Sequence, residues 1–370
     1  MVKEINPVEK AQGRILIPGS KSYTNRALLC SALAKGMSVL RNYSPGDDSR
    51  AMIKSLAQMG VDIQDSGNEL LVKSPGVYGL RPAGVSLDVG AAGTTMRFLT
   101  GLCSLVKGEH RIVGTKRMHE RPLEDLADAL NQSINGHVIL ESRNEDGRFC
   151  PPVSISSNGL KGGSVDIRVD SSSQYLSSLM LASPYAQNDM DIKFIGHMVE
   201  KPYIGMTQEI MSDFGVKCEE KEGGFLIKSG QEYLPREHNV ESDASGATYF
   251  MAAAAITGGK VSVGEFKKDS NQGDLEFTNI LEEMGCKIKR EGKYIEVQGP
   301  KKLHGIDVSM KEMPDTAQTL AVLAANSEGK TIMRDVGNLR IKETDRIGAL
   351  AKELHKVGIY TESTKDTLTI

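Results

Sequence analysis

The chain has 370 residues, 39% of them hydrophobic and 25% charged, with a formal net charge of −3. That length holds two domains with full cores, and the composition is that of a soluble globular protein. The near-neutral balance, without any Lys/Arg block, gives no reason to expect nucleic acid as a partner, so anion recognition has to be local.

Taken in order, Ile15-Leu16-Ile17 reads as a strand that breaks at Pro18-Gly19. An Ala/Leu-rich helix then runs from about Asn25 to Leu33. Ser20, Lys21, Ser22 and Arg26 lie between and at its start, where free backbone N–H groups and two cations one turn apart make an anion site. The same succession of strand, small polar turn, apolar helix, glycine and strand recurs. It reads Val85…Thr94…Leu105…Gly108…Ile112, then Val165…Ser173…Leu181…Ile192. Two further copies are Val240…Ser245…Ala255…Gly259…Val261 and Ile306…Thr316…Ala324…Gly329…Ile332. An amphipathic helix, a glycine and a two-strand tail follow each copy, as in Ser49–Met59, Gly60 and Val61–Val72.

The pattern predicts an α/β fold of five βαβαββ units whose first helices start 71 to 79 residues apart, at Ser22, Thr94, Ser173, Ser245 and Thr316. One such unit cannot cover both faces of its own sheet, so the units must pack together. Gly230–Asn239 is the expected linker, dividing the chain into 18–234 and 1–17 plus 235–370. Cys30, Cys103, Cys150, Cys218 and Cys286 form no C-x-x-C pair, which fits neither a disulfide framework nor a zinc site and points to a reducing compartment. Met1-Val2-Lys3-Glu4 opens no apolar leader, and no window approaches a membrane span, so the cytoplasm is the expected location.

The turns before the helices carry the candidate chemistry. They hold Lys21, Ser22 and Arg26; Gly93, Thr94 and Arg97; Ser171, Ser172, Ser173 and Gln174; and Asp315. Two charged turns, Lys116–Pro122 with Arg121 and Asn338–Arg346 with Lys342, Glu343 and Arg346, lie between them. Each feature alone fits a capped helix start or a solvated i,i+3 pair. Together they favour a site for several anionic groups: arginine suits carboxylate and phosphate, lysine adds a titratable point charge, and Asp315 and Glu343 are candidates for general acid/base work.

Lys21-Ser22-x-x-Asn25-Arg26, Ala92-Gly93-Thr94-x-Met96-Arg97, Glu120-Arg121-Pro122, Ser172-Ser173-Gln174, Lys201-Pro202-Tyr203, Asp243-Ala244-Ser245, Pro314-Asp315 and Lys342-Glu343-Thr344-Asp345-Arg346 resemble the 5-enolpyruvylshikimate-3-phosphate synthase family. The resemblance runs in order from residue 13 to the C-terminus. It implies an enolpyruvyl transferase-like fold of two domains, each normally three βαβαββ units. It also implies a reaction in which the 5-hydroxyl of shikimate 3-phosphate attacks C2 of phosphoenolpyruvate and phosphate leaves. No metal or organic cofactor is implied, and the complete enzyme is expected to be a monomer. By position, Lys21, Ser22, Arg26, Ser172, Ser173, Gln174, Asp315, Asn338 and Lys342 would hold shikimate 3-phosphate. Lys21, Gly93, Arg121, Gln174 and Arg346 would hold phosphoenolpyruvate, with Gly93 leaving room there for glyphosate as well. Lys21, Asp315 and Glu343 would serve the proton transfers.

The chain departs from the family pattern at four places. Ala91 stands where an Asn is common, Phe98 where Pro is frequent, and Glu200 where a phosphate-contacting Ser is usual. The sixth unit of the family is not found, so a C-terminally truncated, inactive substrate-binding fragment is the alternative expectation. The sister transferase acting on UDP-N-acetylglucosamine carries a Cys on the loop before its Arg-Pro; Gly114–Arg121 has none.

Overall fold

The computed structural model describes residue 4 and residues 6–370; Met1, Val2 and Lys3 of the N-terminus read above lie outside them, as does Ile5. β1 (Gln12–Leu16) leads into the first repeat, made of α1 (Lys21–Leu33), β2 (Lys35–Arg41), α2 (Asp47–Gln58), β3 (Asp62–Asp65) and β4 (Glu69–Pro75). The second repeat is β5 (Leu87–Asp88), α3 (Gly93–Cys103), β6 (Gly108–Val113), α4 (Glu124–Asn131), β7 (Ile134–Arg143) and β8 (Phe149–Leu160). The third is β9 (Gly163–Arg168), α5 (Ser173–Ala182), β10 (Met190–Ile195), α6 (Pro202–Asp213), β11 (Glu219–Lys221) and β12 (Gly224–Ile227). β13 (Glu237–Asn239) precedes the fourth: α7 (Ala244–Thr257), β14 (Lys260–Gly264), α8 (Phe277–Glu283), β15 (Lys287–Glu291) and β16 (Tyr294–Gln298). The short β17 (Leu303–His304) comes before the fifth repeat. That repeat has β18 (Asp307–Ser309), α9 (Ala317–Ala324), the short β19 (Ser327–Glu328), β20 (Ile332–Arg334), α10 (Arg346–Lys356), β21 (Glu362–Ser363) and β22 (Thr367–Thr369).

Five four-stranded sheets among the described residues share one order: β13-β2-β4-β3, β5-β6-β8-β7, β9-β10-β12-β11, β1-β14-β16-β15 and β18-β20-β22-β21. In each the first pair is parallel and the other neighbours antiparallel. A parallel pair needs a long crossover, and a buried helix supplies it; the antiparallel tail needs only a tight turn.

Two strands pair outside the repeat that the sequence gives them. β1 runs straight into α1 but pairs with β14 of the fourth repeat, Ile15 opposite Val263. β13 runs towards α7 but pairs with β2 of the first, His238 opposite Leu40. The chain accordingly separates into two compact units, Gly19–Val240 and Met1–Pro18 with Glu241–Ile370. Gly19, where the larger unit begins, is held to glycine by close approach: a Cβ there would lie 1.7 Å from the Asn42 carbonyl oxygen. The segment 230–239, read as a linker, is built into the larger unit. The buried Tyr233 hydroxyl donates to the Leu181 carbonyl at 3.0 Å, and β13 completes a sheet.

The first helix of each repeat in the larger unit is buried on every side, from Tyr23 to Leu33, Gly93 to Cys103 and Tyr175 to Ala182. Such helices have no polar stripe to face water. Small residues let them touch. A Cβ on Gly101 would lie 2.5 Å from Ser178 Oγ, and that hydroxyl donates to the Arg97 carbonyl at 2.6 Å. The second helices are amphipathic; α2 buries Ser49, Met52, Ser55 and Leu56 along one face. In the smaller unit α7 and α9 meet through Thr248 and Thr319, whose hydroxyls are 2.9 Å apart.

Candidate active site

In the larger unit the N-terminal ends of α1, α3 and α5 are tied to one another. α1 begins at Lys21, a turn earlier than the apolar pattern indicates, because Ser20 caps it with its side chain. Lys21 and Ser22 are therefore first-turn residues. Lys21 Nζ lies 3.8 Å from Asp48 Oδ1 at the start of α2, and Thr95 of α3 donates to the Asp48 carbonyl at 2.9 Å. α3 and α5 are joined at Pro122, whose carbonyl accepts from the Tyr175 hydroxyl at 2.6 Å and from Arg97 Nη2 at 3.4 Å.

Gly93 opens α3 against two arginines. A Cβ there would lie 2.6 Å from Arg121 Nη2 and 2.8 Å from Arg97 Nη1. The guanidinium groups of Arg121 and Arg97 thus lie where a side chain on residue 93 would be. Arg121 is buried, and its Nη1 donates to the Ala91 carbonyl at 3.3 Å, so Ala91 serves the loop through its backbone. On α5, Ser172 caps the helix by accepting the Gln174 amide at 3.2 Å. The Ser173 hydroxyl donates to the Glu200 carboxylate at 3.1 Å, and Gln174 stays partly exposed beside them.

Arg26, named above among the ligand residues, has its guanidinium turned into the packing between helices. It is 1% exposed and donates to Thr207 Oγ1 at 2.8 Å, Ser177 Oγ at 3.2 Å, and the Ser22 and Tyr203 carbonyls at 3.0 Å. The Phe98 ring lies 5.3 Å away, which gives this residue a place in the packing. Burial lowers the Arg26 pKa to about 10, and the group stays cationic at neutral pH. It clamps α1 to α5 and α6 beneath Ser22.

In the smaller unit Asp315 sits in the tight turn Pro314–Thr316 that leads into α9, and Arg346 is the first residue of α10. Arg346 Nη1 donates to Asp315 Oδ1 at 2.7 Å and Nη2 to Glu343 Oε2 at 2.9 Å. Burial alone would lower the Arg346 pKa, but Asp315 and then Glu343 outweigh it and hold the pKa above the ordinary arginine value. The half-buried Asn338 and Lys342 occupy the same loop. Asp345 fixes the end of that loop by capping α10 through the Gly348 amide at 3.0 Å and by taking Arg340 Nη1 at 3.1 Å. Arg340 also donates to the Thr364 carbonyl at 2.6 Å, which pins the loop to the turn between β21 and β22.

The sequence brings forward most of these side chains but not their partners. Asp48, Arg97 as a neighbour of Gly93, the Ser177–Thr207 pair around Arg26, and the Arg340–Asp345 brace were not singled out for these roles. Ser177 one turn beyond Ser173, and Thr207 one turn beyond Tyr203, were the signal available for the Arg26 clamp. The arrangement supplies cations and helix-start amides in one unit, and a guanidinium between two carboxylates in the other.

A family model described as EPSP synthase (3-phosphoshikimate 1-carboxyvinyltransferase) matches residues 5–370. A 3-phosphoshikimate 1-carboxyvinyltransferase of Shewanella pealeana is 43% identical over 370 residues, covering 99% of this chain and 85% of that protein. Its counterpart in Actinobacillus pleuropneumoniae serotype 5b is 44% identical over 371 residues, covering 98% and 84%. Among solved structures, an EPSP synthase from Acinetobacter baumannii superposes with a TM-score of 0.78 at 27% identity, covering 98% of this chain and 82% of that one. The family match runs to residue 370, and the chain spans 85% and 84% of the lengths of these two relatives.

Proposed function

The chain belongs to the EPSP synthase family, and we propose that it transfers the enolpyruvyl group of phosphoenolpyruvate to the 5-hydroxyl of shikimate 3-phosphate. The hydroxyl oxygen bonds to C2 of phosphoenolpyruvate and gives up its proton, while C3 gains one. The resulting tetrahedral adduct loses a proton from C3 and phosphate from C2. Asp315, Glu343 and Lys21 handle these protons. The observation that carries this assignment is Arg346 held between Asp315 and Glu343. It sets two carboxylates, candidate bases, beside a cation suited to a carboxylate or phosphate.

Arg346, Arg121, Lys21, Gly93 and Gln174 hold phosphoenolpyruvate. Ser22, Ser172, Ser173, Gln174, Asp315, Asn338, Lys342 and Lys21 hold shikimate 3-phosphate. Arg26 acts on that substrate by fixing Ser22 from beneath. The work falls in the cytoplasm; among the described residues no helix is long and apolar enough to cross a membrane.

Phosphate release from the two substrates tests this directly. Turnover by the full chain is expected, with Asp315→Asn and Glu343→Gln each lowering kcat by roughly 10²–10⁴-fold and changing KM little. No release of phosphate from the unaltered chain would overturn the assignment, and a pure KM effect would demote both carboxylates to positioning residues.

A further inference from the structure

Glu200 lies on the connection between β10 and α6 with φ of +55°, a left-handed backbone that residues other than glycine rarely adopt. The residue is 2% exposed. Its carboxylate accepts from the Ser173 hydroxyl at 3.1 Å, and Ser173 is itself 1% exposed. Ser173 opens α5 just after its cap, Ser172, while the Glu200 carbonyl accepts the Tyr203 amide at the start of α6 at 3.1 Å. The acid is therefore tied to the first turn of α5 and lies two residues before the start of α6 in the chain. Helix starts of this kind favour an anion. Burying a carboxylate is unfavourable without such partners, and a strained backbone adds to that. Strain and a buried charge at one position mark a functional constraint more readily than a packing one.

We propose that Glu200 is a specificity-determining residue. Its carboxylate occupies an anion position at the start of α5 and competes there with the phosphate of shikimate 3-phosphate for the Ser173 hydroxyl. This rests on the assignment of Ser172, Ser173 and Gln174 to that substrate. The internal acid shuts out free phosphate, which has only one charged group with which to displace it. A ligand that carries phosphate on a ring with further contacts can move the carboxylate aside, at the cost of affinity.

Titration calorimetry of the full chain with shikimate 3-phosphate and with inorganic phosphate tests this on Glu200→Gln and Glu200→Ser. Both variants are expected to bind shikimate 3-phosphate about tenfold more tightly, the effect of relieving one charged contact. Inorganic phosphate should become a competitive inhibitor against shikimate 3-phosphate. In steady-state assays KM for shikimate 3-phosphate should fall by a similar factor while KM for phosphoenolpyruvate stays the same. Glu200→Gly, which also relieves the left-handed backbone, serves if the other two are unstable. Affinity within twofold of the unaltered protein, or weaker, in the folded variants overturns the proposal alone. Failure of the unaltered protein and all variants to bind shikimate 3-phosphate overturns the substrate assignment and this inference with it.

Discussion

Gly93 is restricted by the two guanidinium groups that lean over it. In Gly93→Ala the new methyl would lie within 2.8 Å of Arg121 and Arg97 nitrogens. These are the far ends of flexible side chains, so the helix start survives and the guanidinium groups yield. Arg121 then leaves the position from which it holds phosphoenolpyruvate, and KM for that substrate should rise about tenfold, the scale of one charge-assisted contact. An unchanged KM would show that Arg121 does not touch it. Arg26 presents the opposite case, a cation spent on the fold. Arg26→Ala removes a donor from the Ser22 and Tyr203 carbonyls and from the Thr207 and Ser177 hydroxyls, of which Tyr203 and Ser177 still face the Thr207 hydroxyl. Urea denaturation should show a loss of about 3 kcal/mol or more; a loss under about 1 kcal/mol would mean that water takes over its bonds. The Lys21…Arg26 spacing is plain in the sequence, but the direction of Arg26 is not. A helix buried all round carries no facial pattern from which to read it.

At the level of elements, the loop from Gly337 to Asp345 and the first turn of α10 form one braced assembly. Arg340 and Asp345 fix its backbone, and Arg346 then spans Asp315 and Glu343. Arg346→Ala removes the cation that favours the ionised form of both carboxylates. Protons then bind them more readily, so the acid limb of kcat/KM should move to higher pH, alongside a rise in KM for phosphoenolpyruvate. Lower activity with an unmoved acid limb would mean that Arg346 only binds substrate. The local pattern was legible here: Glu343…Arg346 reads as a helix start and an i,i+3 pair, though the Asp345 cap was not read. The contact to Asp315 was not, because it joins turns 31 positions apart. The pairing of β13 with β2 was hidden for a related reason. Alternation along a strand reports which face is buried and says nothing of which strand lies alongside.

Across the whole molecule the two compact units treat the same repeat differently. In the larger one, the three first helices, α1, α3 and α5, are buried on every side beyond their first turn. Among the described residues of the smaller, α7 and α9 meet through Thr248 and Thr319 but leave apolar side chains outward: Tyr249 is 55% exposed, Phe250 40%, Ile256 37% and Val322 47%. Val322 belongs to α9 and the other three to α7. A face of this kind is a surface for association, since fully burying one large apolar side chain is worth about 1.5–3 kcal/mol. In dilute buffer the 370-residue chain should therefore self-associate in a concentration-dependent way, seen in sedimentation velocity as growth of species heavier than the 40.1 kDa chain. Phe250→Glu with Ile256→Lys adds charge to that face without touching the buried side of α7, where Ala247, Met251 and Ala254 pack. The double variant should sediment as a monomer with thermal unfolding little changed. A monomer at every concentration for the unaltered chain would show that the face is not adhesive. Persistent association of the charged variant would place the contact elsewhere on the molecule.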